Sequence, residues 1–483
     1  MAEPVAGTVL GGARMTDRIL VPFAGPGAGV GGLTWGQRKV WTLMQQAGTS
    51  MSMGGAVPVT DGRTVRDLAA ELRFFLSRYA SMRARIRTGA DGALIQEVSG
   101  SGQAELGILD VPDDGDPDRA AKALADQWEA TPFDHAEEWP IRMAAVRSRG
   151  VVTHAVVAIS HVATDGGGIA VMLRELGERD PVTGEPAKPA SALGPLELAA
   201  QQRTPSVRRQ NDFSLRHWER LLRTAGPRRF GPPVDRGEPR YLRGAFESRA
   251  LQLASKAVAA RLGVSTGSVL LAGYAVAVAR LTGITPALVQ VVVGNRFRPG
   301  LADVSHPLSV NGLFLVEVAD ASFDEVVDRT QRASALCSKY AYYDPAELEQ
   351  LRARIGRERG AEVELSCLFN DRRIGVGVEP PAPAPSRQEL EAARAGSELR
   401  WGEPFPRYQD TLMIQVGTAA DTVELEIHVD THHVSVDEVR ALMLDLEALV
   451  LAAASDPGLP TGVRPTPAES AVSAAAGSAV SPG

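Results

Sequence analysis

An α/β fold built of two similar halves follows from three observations in this sequence. β-Branched and apolar runs alternate with stretches of helical periodicity. A Pro- and Gly-rich segment over residues 180–205 interrupts that alternation. A pattern of strand, histidine, aspartate and helix near residue 161 returns near residue 433. In the first half the order reads strand 19–23, helix 35–46, helix 65–81, strand 94–98, helix 117–130, strands 142–146 and 151–159, then helix 169–177. The run Val151-Val152-Thr153-His154-Ala155-Val156-Val157-Ala158-Ile159 is β-branched and bounded by Gly150, so it reads as a buried strand. Gly168 through Leu176 has no breaker and has apolar residues at helical spacing.

In the second half strands are predicted at 287–294, 313–318 and 423–430, with a helix at 323–340. Residues 374–398 contain Pro380-Pro381-Ala382-Pro383-Ala384-Pro385 and read as a loop. Residues 1–14 read as an unstructured leader, with Met15 as a candidate start, and the Ala-, Ser-, Pro- and Gly-rich stretch beyond residue 454 as a disordered tail. The expected organisation is a first unit at 15–179, a linker at 180–209, a second unit at 210–454 and a tail at 455–483.

The chain has 483 residues, 44% of them hydrophobic, enough for two or three cores. A net charge of −7, with no run of five Lys or Arg, gives no nucleic-acid footprint. Arg-rich stretches at 203–209 and 220–229 are interrupted by apolar residues and read as solvated helix and linker surface rather than a protein-docking patch. Cys337 and Cys367 have apolar neighbours and no metal-ligand spacing, so they read as reduced core thiols of a cytoplasmic protein. Residues 1–30 show no signal peptide. The apolar stretch 268–281 is shorter than a membrane span and reads as a core helix.

The segment Ser160-His161-Val162-Ala163-Thr164-Asp165-Gly166 carries the chemistry. It puts His161 where a strand ends, so one ring nitrogen can face a cavity while local backbone holds the other. Asp165 can fix the loop, bind a cation or cap the following helix, and Gly166 to Gly168 let backbone approach a ligand closely. Other motifs are weaker. Gly27-Ala28-Gly29-Val30-Gly31-Gly32 satisfies GxGxxG but lacks the acidic residue about twenty positions on, and reads as a flexible glycine loop. None of the eight histidines has metal-site spacing.

The segment resembles the HHxxxDG signature of the condensation domains of nonribosomal peptide synthetases, in the superfamily that includes chloramphenicol acetyltransferase. Ser160 stands for the first histidine, and His161 is the second. Further segments fall in the family's order: Leu33-Thr34-Trp35-Gly36-Gln37 through Trp41, Arg78-Tyr79-Ala80-Ser81-Met82-Arg83, and Phe133-Asp134 with Trp139-Pro140-Ile141-Arg142. His217-Trp218 through Leu222, and Gly294-Asn295-Arg296 with Val310-Asn311, complete the series. The resemblance implies an α/β fold of two chloramphenicol acetyltransferase-like sandwich subdomains in a V-shaped pseudo-dimer. It implies an acyltransferase in which His161 is catalytic and Gly166 offers a backbone N–H to the oxyanion. Asp165 is expected to pair with an arginine of the second half, Arg296 or else Arg298, with Ser160 structural. Gly167, where a bulky residue is common, implies a roomier pocket mouth, and Asn311 either lines the substrate tunnel or is a turn residue before Gly312.

The later copy, Thr431-His432-His433-Val434-Ser435-Val436-Asp437, has both histidines. Glu438 replaces Gly166 there, however, and its side chain obstructs backbone approach to a thioester. In the family only the N-terminal copy keeps the working histidine, so His161 is assigned ahead of His433. His432 and His433 then read as a polar loop before a helix capped by Ser435 or Asp437.

The resemblance therefore implies a free-standing enzyme forming an amide between a carrier-bound acyl thioester and an amine, with no cofactor and no metal. Its partners are a donor carrier protein in trans, bearing a phosphopantetheinyl arm, and an acceptor that is a second carrier or a small amine or alcohol. No nucleic-acid or membrane partner is expected. Two alternatives stay open: an ester-forming acyltransferase with a hydroxyl acceptor, and a non-catalytic platform that recruits carrier proteins.

Overall fold

Small and branched apolar residues alternate along residues 101–111, 141–148 and 151–159, so these strands send side chains to both faces of a sheet, and helices cover each face. This sheet centres the first of two units in a computed structural model of the protein, which describes residues 9–10, 13–90, 92–180, 183–189, 192–224, 229–231, 236–373, 375, 377–380, 385–405 and 410–465. The described residues of the first unit fall within 1–208 and 294–309, and those of the second within 209–293 and 310–483.

The first unit runs β1 (Val9–Leu10), β2 (Ala13–Ala24), β3 (Gly29–Gly32), α1 (Trp35–Ala47), β4 (Met53–Pro58), α2 (Val65–Arg78), β5 (Ala84–Thr88), β6 (Leu94–Val98), β7 (Ser101–Val111), α3 (Pro117–Ala130), β8 (Ile141–Ser148), β9 (Val151–Ile159), α4 (Gly166–Glu178), α5 (Pro195–Gln201) and the start of α6 (Pro205–Thr224). Six strands form a sheet in the order β1-β2-β7-β8-β9-β4, antiparallel except for β7 beside β8. Leu68, Leu72 and Leu76 of α2 and Met172 of α4 bury against one face, while Ala121 and Leu124 of α3 bury against the other. β3, β6 and β5 make a separate antiparallel sheet.

The second unit continues α6 and runs β10 (Tyr241–Ser248), α7 (Arg249–Leu262), α8 (Thr266–Thr282), β11 (Ala287–Val293), β12 (Val310–Val316), α9 (Phe323–Tyr340), α10 (Pro345–Arg359), β13 (Cys367–Asp371), α11 (Arg387–Arg394), β14 (Glu398–Pro404), β15 (Leu412–Val416), β16 (Val423–Asp430) and α12 (Val436–Ser455). Its seven-stranded sheet has the order β12-β11-β13-β15-β16-β10-β14. α8 is buried from Ser268 to Ala279, as expected of a core helix, and among the described residues no single helix is long and apolar enough to cross a membrane. Cys337 and Cys367 are buried free thiols, and burial pushes them up to about 12 and about 11.

Several expectations need correction. The expected linker at 180–209 holds α5 and the start of α6, and residues 294–309, expected in the second half, group with the first unit. Of the expected leader, Val9–Leu10 and Ala13–Arg14 are strand, paired with each other in register; the rest lies outside the described residues. The glycine run is strand from Gly29: β3 pairs with β6, and the Leu196 side chain of α5 packs 3.3 and 3.0 Å from where Cβ atoms on Gly29 and Gly31 would stand. Residues 374–398 include α11, which a Ser386–Glu389 capping box starts; residues 381–384 lie outside the description. The tail stays packed as far as Val463, with Thr461 buried and its hydroxyl on the Val318 carbonyl; residues 466–483 lie outside the description.

Candidate active site at the end of β9

The turn after β9 is clamped on both sides. Val162 buries among Leu33, Val40 and Met44 beside α1, while Ala163 joins the core under α2. His161, immediately before them, stays partly exposed. Its Nδ1 lies 2.8 Å from the Thr164 carbonyl, three residues on. A carbonyl only accepts, so Nδ1 carries the proton, and in the neutral ring Nε2 keeps a lone pair for a substrate proton. Thr164 is buried in turn, its hydroxyl donating to the Ser305 carbonyl at 2.9 Å.

Asp165 is 2% exposed and does two jobs. As N-cap of α4 its Oδ1 accepts from the Gly168 N–H at 2.8 Å, and the same oxygen lies 2.7 Å from Arg296 Nη2. Its Oδ2 accepts from the N–H groups of Leu308 and Ser309 and from the Ser309 hydroxyl. Burial alone would raise the carboxyl's pKa, but the Arg296 charge and these N–H donors outweigh it and hold the group below the usual carboxylate range. Arg296 also donates to the Val304 and His306 carbonyls. Arg298 bonds to Asn295 Oδ1 at 2.7 Å instead, so Arg296 is the partner; both arginines belong to the first unit.

The three glycines differ. A Cβ on Gly168 would meet the Ser305 carbonyl oxygen at 2.0 Å, and one on Gly167 would meet Arg296 Nη1 at 2.5 Å. The expected roomier mouth at Gly167 is therefore corrected: the Arg296 guanidinium fills that space. Gly166, the first residue of α4, is exposed with nothing within 4 Å of a Cβ position.

The flanking motifs have local explanations. Thr34 and Gln37 form the capping box of α1, and Gly36 lets the Pro307 carbonyl approach to 2.1 Å from where a Cβ would stand. Arg78 Nε and the Tyr79 hydroxyl both hold Glu175 of α4, at 2.8 and 2.7 Å. Buried Arg83 spans the carbonyls of Gly25, Pro26 and Ser99. Arg142 stacks over the Phe133 ring at 4.0 Å while paired to Glu138. Ser160 is fully buried, and its hydroxyl lies 2.7 Å from His135 Nε2. Sequence reasoning missed His135, Ser50, Thr164 and Ser309; only the position of His135 inside the Phe133–Arg142 segment offered a signal.

Asn311 lies within β12 of the second unit, opposite Val292, with its amide on Gln290 Oε1 at 3.0 Å, so the turn reading is corrected. In the later copy α12 starts at Val436 behind Ser435, whose capping box uses the Glu438 carboxylate. This helix begins three residues after His433, whereas α4 begins five after His161. Asp437 is exposed in the first turn, and the His432 and His433 rings bond to the carbonyls of Gly237 and Gly231.

Comparisons with known proteins identify the chain's relatives. The nonribosomal peptide synthetase kk1B of Curvularia clavata is 25% identical over 281 residues, 56% of this chain and 2% of that protein. The AMB antimetabolite synthetase AmbB of Pseudomonas aeruginosa is 28% identical over 288 residues, 56% of this chain and 22% of that protein. The chain thus matches only a small part of these relatives. The X-domain from teicoplanin biosynthesis superposes with a TM-score of 0.67 at 17% identity, covering 90% of this chain and 97% of that one, so the fold is the chloramphenicol acetyltransferase-like fold of condensation domains. The condensation-domain family model matches residues 30–362, more than half of the sequence, and the chain belongs to that family.

Proposed function

We propose that the protein transfers an acyl or peptidyl group from a carrier-bound phosphopantetheinyl thioester to an amine, with His161 handling the proton. The observation that carries this reading is the Nδ1 bond of His161 to the Thr164 carbonyl, which leaves Nε2 as the basic nitrogen. The amine attacks the thioester carbonyl carbon, and Nε2 takes the amine's proton or stabilises the ammonium in the tetrahedral intermediate. The attack forms the C–N bond; collapse then restores the carbonyl, breaks the C–S bond and passes the proton to the departing thiolate. The Gly166 N–H, at the positive end of α4, is the proposed donor to the oxyanion. Asp165, Arg296 and Ser160 position the turn rather than touch substrate. The thioester is already activated, so the reading needs no cofactor or metal. A hydroxyl acceptor would give an ester by the same proton transfer.

The test is product formation in a producing strain deleted for this gene and complemented with wild type, His161→Ala or His433→Ala. Carrier-bound intermediates are followed by mass spectrometry. Loss of product with His161→Ala alone, with acylated donor carrier accumulating, is expected. Normal product from His161→Ala would overturn the catalytic reading and favour a carrier-recruiting platform.

A further inference from the structure

We propose that His135 is a positioning residue: through the buried hydroxyl of Ser160 it sets the turn that presents His161. This rests on the reading of His161 as the proton-handling group. Ser160 and His135 have the composition of a nucleophile–base pair, and their 2.7 Å separation is that of a strong hydrogen bond. Ser160 is 0% exposed, however, so no substrate reaches its oxygen without the turn opening. The pair is therefore structural chemistry placed one residue before His161.

The surroundings make it a rigid support. The His135 ring meets Trp41 of α1 edge-on at 5.4 Å and lies tilted against Phe133 at 6.1 Å. Its carbonyl accepts from the Ile86 N–H at 2.8 Å, tying it to β5. Burial lowers its pKa, which keeps the ring neutral with one nitrogen to donate and one to accept. A second tie runs beside the first. The Phe133 N–H donates to the Ser50 hydroxyl at 2.7 Å, and the His161 N–H donates to the Ser50 carbonyl at 3.3 Å. The segment of Phe133 and His135 and the segment of Ser160 and His161 are thus joined twice, once through Ser50 and once through the imidazole–hydroxyl bond. Where the family motif has a histidine at position 160, this chain has a serine and brings an imidazole to it from position 135.

Deleting one such bond is worth about five- to ten-fold in an equilibrium or rate that depends on it. The experiment uses the full chain labelled with 15N-histidine, with the His161 ring signals assigned by their loss in His161→Asn. Tautomer and titration of His161 are read by NMR in His135→Phe, His135→Gln, Ser160→Ala and the double variant Ser160→His/His135→Ala. His135→Phe keeps the packing on Trp41 and removes the bond, and His135→Gln keeps a hydrogen-bonding group. Expected are a weakened Nδ1–H preference of His161 and about five- to ten-fold slower product formation in His135→Phe and Ser160→Ala, with recovery in His135→Gln and in the double variant. Unchanged His161 signals in both Ser160→Ala and His135→Phe overturn the proposal. If His135→Phe does not fold, Ser160→Ala and His135→Gln decide alone, the first expected to shift the signals and the second to retain them. Failure of the catalytic reading shows separately, as full product from His161→Ala, while the NMR readout still judges the support.

Discussion

His306 is a histidine that the proposed chemistry leaves unused, and it contributes to how the first unit responds to acid. It is 1% exposed, and among the described residues neither ring nitrogen has a well-aligned hydrogen bond. Burial, helped by the nearby Arg296 charge and opposed by Asp165, pushes its pKa from 6.5 down to about 4. Above pH 6.5 the ring is neutral in both the folded and the unfolded chain. As the pH falls from 6.5 to about 4 the unfolded chain binds a proton that the native state refuses, so stability is lost across that window, by on the order of 3 kcal/mol. Below about 4 both states are protonated and the loss stops. His306→Leu removes this proton. Urea unfolding at pH 7.5, 6 and 4.5 is expected to show the variant gaining on wild type as the pH falls. A difference between the two that stays constant with pH would refute the assignment.

At the scale of an element, the N-terminus of α4 separates glycines needed for space from the one available to substrate. Gly168→Ala drives a methyl to 2.0 Å from the Ser305 carbonyl oxygen, and the backbone carrying it also holds Asp165. That overpacking is expected to cost more than about 2 kcal/mol. Gly166→Ala meets nothing within 4 Å and lies in a helical turn, so it is expected to change stability by less than about 1 kcal/mol. Thermal melts of both variants check the contrast, and equal melting temperatures would contradict it. Much of this element was legible in sequence. The β-branched run ending at Ile159 and the breaker-free run from Gly168 bracket the turn, and Asp165 reads as a cap from its place before α4. Arg296 was preferred to Arg298 from the resemblance alone, whereas the physical reason was not legible: Asn295 holds a positive φ of 59° and its Oδ1 takes Arg298. Nor was β4, whose Gly54 and Gly55 look like a loop but pair with β9. The His135 partnership with Ser160 joins residues 25 apart, a separation that no local periodicity encodes.

Over the whole molecule the chain order and the spatial units do not coincide, and this has a consequence for the site. Residues 294–309 are separated in sequence from the rest of the first unit, yet they supply Arg296, the Leu308 and Ser309 N–H groups and the Ser305 carbonyl that hold Asp165 and Thr164. A fragment ending at Arg208 keeps the whole six-stranded sheet but leaves the Asp165 carboxylate without its cation and without three of its four other donors. Water then replaces these partners, and the donors that fixed the carboxylate's position are lost. The same cut leaves Gly36 and Gly168 bare where the Pro307 and Ser305 carbonyls had covered them. Residues 1–208 alone are therefore expected to lose the ordered turn at His161 even if the sheet forms. Joining 294–309 to the end of that fragment through a flexible linker is expected to restore it. Amide hydrogen exchange across residues 160–169 reads the outcome: fast exchange in the short fragment and protection in the extended one are expected, and equal protection in both would show that the turn holds itself.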